Sequence, residues 1–264
     1  MALTDDLIGF WSLEDDAANT TVVDDTGNNN GTASTNTSNL SEAAKVGDGF
    51  DLDGSAENVS VTETGITADS MSIQAWVQPD DTAANPIVSK RTSGNCYQLA
   101  ANASNEPYFI VWSGGAAGSV TDTGNAMATD GTFYHLVGTY DGSDVRLYVN
   151  GSEVGTGDSF TGNINDTTTA IKFGTDSPGG SNYFNGTIDE IGLWNRGLTS
   201  AEVTSLYNGD SGLAYPFAAA GTNMQINIGD TWKEIVGKQI NIGDAWKEVA
   251  GAQINIGDTW KEIW

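Results

Sequence analysis

The segment FYHLVGTYDGSDVRLYVNGSEVG (133–155) constrains the fold more than any other. Apolar and polar residues alternate along it, and Asp141-Gly142 and Asn150-Gly151 interrupt the alternation. Such dipeptides suit two-residue hairpin turns, whose central positions need positive φ. Two strands flanking Asp141-Gly142, with a return starting at Asn150-Gly151, are therefore predicted. The same reading places strands at 7–13, 86–90, 96–101, 107–112, 170–176 and 184–195, and two strands around a turn at 49–54 and 58–61. In MSIQAWVQP (71–79), Met71, Ile73, Ala75 and Val77 share one face, against Ser72, Gln74 and Trp76. Residues 19–32 are polar, with TGNNNGT (26–32) as a loop, and SGGAAG after Trp112 also reads as a loop. One helix is predicted. Thr199 caps it, Glu202 completes a capping box, Val203, Leu206 and Tyr207 form its apolar stripe, and Asn208-Gly209 ends it. Many short strands with a single helix predict an all-β antiparallel sandwich or jelly roll over residues 1–217.

A different rule governs the end of the chain. QINIGDTWKEIVGK begins at Gln225, QINIGDAWKEVAGA at Gln239 and QINIGDTWKEIW at Gln253, so a 14-residue unit occurs three times. Each unit reads as strand, Gly-Asp turn, strand, Gly turn. Residues 218–223 (AAAGTN) read as a linker, and 224–264 as three β-hairpin repeats. Apolar groups fall on both faces of such hairpins, and segments this short seldom fold without a partner. The expectation is an assembly or anchoring tail, with homotrimerisation favoured over docking on a larger protein or a repeated sugar site. Its contacts would come from Ile226, Ile240, Ile254, Trp232, Trp246, Trp260 and Trp264.

Net charge is −25. Six of the 35 acids and four of the ten bases lie in the tail, which leaves 29 acids against six bases in the body. A surface this negative repels nucleic acid and anionic membranes. Solubility, a saline habitat or cation binding would all suit it. The single cysteine, Cys96, cannot form an internal disulfide and reads as a buried thiol. MALTDDLIGF lacks the features of a signal peptide, and no run approaches a membrane span, so membrane insertion is not expected.

The motifs GFWSLEDD, VVDDTGNNNGT, GDGFDLDG, MSIQAWVQPDD, FYHLVGTYDGSDVRLYVNGSEVG and FNGTIDEIGLWNRGLTSAEV occur in the order found in laminin-G-like, concanavalin A-like jelly rolls. The body, over about 7–217, resembles that family. The tail resembles NIGDTWK-type repeats of bacteriophage structural proteins. Together these resemblances imply a non-enzymatic virion protein: a fibre, decoration or tail-associated subunit, made in the host cytoplasm. It would bind other virion proteins and cell-surface glycans. The alternatives are a cellular carbohydrate-binding or adhesion module and an accessory domain of a glycan-active enzyme.

Some relatives are glucanases with an E-x-D-x-x-E strand, since glycoside hydrolysis needs two carboxylates flanking the bond. Here TIDEIG places Thr187 and Gly192 where the outer two glutamates would stand, so no catalytic residues are assigned. His135, the only histidine, reads as a packing residue. The resemblance also implies a structural calcium between an early strand and the IDE strand, held by Asp53 and Asp189. Oxygen-rich loops lie at 24–30, 51–58 and 189–190. Aromatic platforms for a sugar would be Trp112 and Tyr183, with Phe184 a further candidate, while Trp11, Trp76 and Trp194 read as core.

Overall fold

The computed structural model describes residues 1–62, 69–83, 85–91, 95–176 and 182–217 in full, and the backbone of six strands between 224 and 262. The chain divides into two compact units, Met1–Phe217 and Ala218–Trp264. No helix among the described residues is long and apolar enough to cross a membrane.

The first unit contains β1 (Leu7–Trp11), β2 (Thr21–Val22), β3 (Gly31–Ala33), β4 (Ser41–Ala43), β5 (Asp48–Asp53), β6 (Val59–Val61), β7 (Met71–Pro79) and β8 (Asn85–Lys90). It continues with β9 (Tyr97–Ala101), β10 (Pro107–Ser113), β11 (Ala116–Thr121), β12 (Tyr134–Tyr140), β13 (Asp144–Val149), β14 (Ser152–Ser159), β15 (Ile171–Phe173), β16 (Asn185–Trp194) and α1 (Ser200–Tyr207). All pairings are antiparallel and form two sheets. One has the order β14-β13-β12-β7-β16-β5-β4, with β1 also on β16. The other runs β11-β10-β9-β8-β15-β6-β3-β2. This is an all-β antiparallel sandwich, as the alternation predicted.

The hairpin at Asn150-Gly151 forms as expected. Val149 faces Ser152, and the two turn residues have φ of 50° and 76°. The turn at Asp141-Gly142 is longer than the two residues expected, because Tyr140 pairs with Val145. The Asp141 carboxylate accepts from the backbone N–H groups of Ser143 and Asp144, which stabilises the wider loop. Two further expectations change. The strands at 49–54 and 58–61 do not pair with each other, since β5 joins the first sheet and β6 the second. The stretch after Trp112 turns at Gly114-Gly115 and then forms β11, and the polar 19–32 region contributes β2 and β3. Small side chains hid β3 and β11 from the alternation test, and β2 is only two residues long.

Between the sheets lies the main core, including Trp11, Phe50, Ile73, Val77, Leu99, Phe109, Leu136 and Phe173. Gly138 on β12 leaves a notch for Phe109 of the opposite sheet; a Cβ there would sit 2.2 Å from the ring. A second cluster lies under α1 and contains Phe10, Val137, Tyr148, Trp194, Val203 and Leu206. It explains why both faces of β7 are buried, with Ser72, Gln74 and Trp76 as inaccessible as their apolar neighbours. The predicted capping box is present at Thr199 and Glu202, and Asn208 ends α1 at φ 50°. Trp11, Trp76 and Trp194 are all core residues.

In the second unit, β17 (Met224–Ile228), β18 (Thr231–Val236), β19 (Gln239–Asn241) and β20 (Trp246–Glu248) make one small sheet. β21 (Gln253–Ile256) and β22 (Thr259–Glu262) make another. Each repeat folds in one register: Asn227 faces Trp232, Asn241 faces Trp246, and Asn255 faces Trp260. The side chains of Ile226, Ile240, Ile254, Trp232, Trp246 and Trp260, and all of Trp264, lie outside the described residues.

Candidate functional site

The two outer faces of the sandwich differ. The first sheet is covered by α1 and by Leu213, Tyr215 and Phe217. On the second sheet, pairing aligns Ser119, Ile110, Gln98, Ser89, Lys172, Ser60 and Thr32 in a row that crosses it. Strand β10 alternates across this sheet. Phe109 and Val111 point into the core, whereas Tyr108, Ile110 and Trp112 are half-buried on the outside.

A cleft of about 50 Å³ opens there, lined by Pro86, Arg91, Gln98, Ala101, Tyr108, Asp176 and Asn182. Gln98 is its hub. Its Oε1 accepts from the Tyr108 hydroxyl at 2.9 Å and from Arg91 Nη1 at 3.2 Å. Its Nε2 donates to Asp176 Oδ1 at 2.8 Å. Asn182 Nδ2 donates to the other Asp176 oxygen at 2.8 Å. The Arg91 guanidinium lies over the Trp112 ring, 5.3 Å from its centre. Burial pushes the Tyr108 hydroxyl above its ordinary pKa, so it remains a neutral donor. The result is a pre-ordered set of amide, guanidinium and phenol groups on rigid strands, beside aromatic surface. That combination suits an uncharged or anionic hydroxylated ligand.

Of the expected platforms, Trp112 borders this cleft, but one face of its ring is occupied by Arg91. Tyr183 pairs with Thr175 beside the cleft residue Asn182 and is half-buried. Phe184 is fully buried in the core and offers no platform. Sequence reasoning missed Arg91, Gln98, Tyr108 and Asp176. The i, i+2, i+4 spacing of Tyr108, Ile110 and Trp112 was the available signal.

The expected calcium pair does not come together. Asp53 sits opposite Asn185, four residues along β16 from Asp189, which is about 13 Å of strand. Asp53 is exposed and its carboxylate accepts from Ser55 N and Oγ, bonds that hold its pKa low. Asp24 instead organises its own loop, accepting from the N–H groups of Phe10, Thr26 and Asn29. Asp189 and Glu190 lie elsewhere, where β16 changes partner. β5 pairs with Asn185–Ile188, and β1 takes over at Ile191. A β-bulge against β7 spans this point, and Glu190 adopts φ 51°. Both carboxylates are buried, at 0% and 2% exposure. Asp189 Oδ2 accepts from Val46 N at 2.8 Å, but Asp189 Oδ1 and Glu190 Oε2 have no hydrogen-bond partner among the described residues. Burial raises both pKa values, and the nearby Asp189, Asp25 and Glu14 carboxylates raise Glu190 further. Two orphaned oxygens among four carboxylates fit a hard cation in donor type. No group of three or more His, Cys, Asp or Glu side chains converges into a ready metal cage among the described residues.

His135 is fully buried in a cluster of three rings with Trp76 and Tyr207, and its Nε2 meets Gln74 Oε1 at 3.2 Å. Burial lowers its pKa to about 3, so it stays neutral.

The Laminin_G_3 family profile, described as the concanavalin A-like lectin/glucanases superfamily, matches residues 53–204, more than half of the chain. No curated protein matches significantly. Among solved structures, the binding domain of Paraclostridial Mosquitocidal Protein 1 aligns at TM-score 0.63 and 16% identity, over 78% of this chain and 53% of that one. The botulinum neurotoxin serotype D ligand-binding domain in complex with N-acetylneuraminic acid aligns at 0.59 and 15%, over 78% and 51%. Domain 4 of AbnA, an extracellular arabinanase of Geobacillus stearothermophilus, in complex with arabinotriose, aligns at 0.53 and 18%, over 75% and 96%. The chain thus spans about half the length of the toxin domains. At these identities the likeness shows the fold.

The carboxylate pair has a consequence for stability. Asp189 and Glu190 titrate at about 8 and about 9 in the folded chain, against 3.8 and 4.5 when unperturbed. Between those limits the folded state binds more protons than the unfolded state, so this contribution is full at low pH and is lost as pH rises. Melting temperature of metal-free protein should carry a downward component from about pH 5 to 9, and Asp189→Asn should flatten it. An equally steep slope in the variant, measured at constant ionic strength, refutes the assignment.

Proposed function

Because the chain belongs to the concanavalin A-like lectin/glucanases superfamily, we propose that it is a non-enzymatic saccharide-binding subunit of a bacteriophage particle. Its role there would be as a fibre, decoration or tail-associated protein. The observation that carries saccharide binding is the cleft on the outer side of the second sheet, where Arg91, Gln98, Tyr108 and Asn182 converge beside Trp112. Amide and guanidinium groups there match ring hydroxyls, and Tyr108 offers apolar surface to a ring face. Two of the structural neighbours hold a saccharide, which supports the reading.

Replacement of both outer glutamates of the glucanase pattern, by Thr187 and Gly192, supports a binding role. Gly192 stands where a glutamate would be needed, and a Cβ there would lie 2.5 Å from the Trp194 ring. Asp189 and Glu190 are buried rather than aligned along a cleft. The tail is proposed to assemble three chains or to anchor the protein on a larger virion component, and its three hairpins in one register support a repeated contact. Assembly would give weak saccharide sites avidity. An accessory domain of a glycan-active enzyme is the second reading, favoured by coverage of nearly all of the arabinanase domain. Recovery of the protein from purified virions by mass spectrometry separates the two.

Calcium enters as a structural ion. Asp189 and Glu190 would hold it, with Glu14 and Asp25 beside them. A bound divalent cation supplies positive charge that lets these carboxylates stay ionised while buried. Calcium should therefore raise the melting temperature of the wild type near neutral pH and leave Glu190→Gln unchanged. Equal shifts in both would remove the ion from this site.

Glycan-array binding tests the central claim. The body should retain a set of glycans, and Trp112→Ala, which releases Arg91, should weaken binding by about tenfold, ~1.4 kcal/mol. Retention of full binding would place the site elsewhere. Light scattering should give the full chain three times the monomer mass and a chain ending at Phe217 the monomer mass; two monomers would exclude self-assembly through the tail.

A further inference from the structure

The body holds six basic side chains against 29 acids, so where each base is spent decides what its surface can hold. Lys45 pairs with Asp210 and Arg196 with Glu202, each at 2.8 Å. Arg146 bridges Asp144 and Glu153, and Lys90 meets Asp166 at 3.1 Å. Lys172 turns its ammonium towards Asn58 beside β6, at 3.4 Å. Among the described residues, Arg91 is the only cation that lines the cleft, and Asp176, 3.7 Å from it, is the only anion. The stretches that follow them in the chain, TSG (92–94) and SPGGS (177–181), carry no charge. The cleft is electrically balanced within a domain that is not.

The hydrogen-bonding positions that the described residues leave open there are mixed. Asp176 accepts from Gln98 Nε2 and Asn182 Nδ2, both at 2.8 Å, one bond to each oxygen. A carboxylate has about four lone-pair positions, so about two remain for donors from a ligand. The Tyr108 hydroxyl donates to Gln98, which leaves its oxygen able to accept. Gln98 Nε2 and Asn182 Nδ2 each keep one further N–H. The backbone fixes these groups in place. Asp176 N donates to the Asn182 carbonyl at 3.3 Å, and Thr175 pairs with Tyr183.

A saccharide hydroxyl both donates and accepts, so it meets donors and acceptors alike. A carboxylate or sulfate only accepts. In this cleft it would leave the open positions on Asp176 and Tyr108 without donors, and it would set its own charge against that of Asp176. Arg91 does not offset this. Its charge faces Asp176, its Nη1 donates to Gln98, and one face of it lies on Trp112. We infer that the saccharide held here is an uncharged one, and that Asp176 is the residue that excludes acidic sugars. This rests on the reading of the cleft as the saccharide site. The net charge of −25 acts in the same direction but over a longer range, so salt separates the two effects.

The test uses the full chain on an array that sets each neutral glycan beside an acidic counterpart. The pairs are lactose with sialyllactose, galactotriose with trigalacturonate, and N-acetyllactosamine with its sulfated form. Where Trp112→Ala weakens a neutral member, the wild type should bind the acidic counterpart about tenfold less tightly or worse. Asp176→Asn should bring such a pair to within about threefold. Asp210→Asn, which removes the same charge from beside α1, should leave the ratio unchanged. The ratio should also survive about 1 M salt, where the Debye length is about 3 Å, because a contact inside a cleft is poorly screened. Equal or tighter binding of the acidic members overturns the inference and leaves the saccharide reading intact. So does a ratio that salt abolishes, or one that Asp210→Asn changes as much as Asp176→Asn, since net charge would then be its cause. If the array retains nothing, or Trp112→Ala changes nothing, the reading of the cleft falls and the inference with it. The salt series needs no variant, so it decides the question even where Asp176→Asn fails to fold.

Discussion

The structure depends on one strand, β16, and on its change of partner halfway along. Its first half pairs with β5 and its second half with β1, while β7 runs along its other edge. Nearly every residue from Gly186 to Trp194 is buried, because this strand contributes to the core between the sheets and to the cluster beneath α1. At the changeover one extra residue is inserted, and Asp189 and Glu190 are carried into the interior with it. Two adjacent buried carboxylates are expensive unless protonated or paired with a cation. The fold therefore concentrates its electrostatic cost at the point where its topology switches.

The same strand decides which face of the protein is available. Because Phe10 and Trp194 project outward from β1 and β16, the first sheet needs a cover, and α1 with residues 213–217 provides it. Among the described residues the second sheet has no such outward apolar cluster. Its outer row is Ser, Gln, Lys and Thr with one Ile, and its aromatic members carry polar neighbours.

Much of this was readable from residue order. Strand β7 begins and ends where its alternation predicts, and the capping box at Thr199 and Glu202 fixes the start of α1. The Asn150-Gly151 turn follows from φ preferences alone. Other features were not readable. Ala116–Thr121 is a strand only because β10 lies beside it, since Ala, Gly and Ser carry little strand preference. The resemblance paired Asp53 with Asp189, but register places Asp53 at Asn185. A shift of a few residues along a strand moves a side chain by more than a metal–ligand bond allows.

The sequence by itself determined the local events: turn positions, helix cap, strand periodicity, the repeated unit of the tail and the identity of the core tryptophans. These depend on backbone sterics and on side-chain alternation, both of which act over a few residues. Only the tertiary structure decided which strands share a sheet, where β16 exchanges partners, and that Arg91, Gln98, Tyr108 and Asp176 meet. Those outcomes come from pairing between residues far apart in the chain, 85 positions for Arg91 and Asp176 and 187 for Leu7 and Trp194. Pairing of that kind is set by burial of the whole core rather than by any local preference.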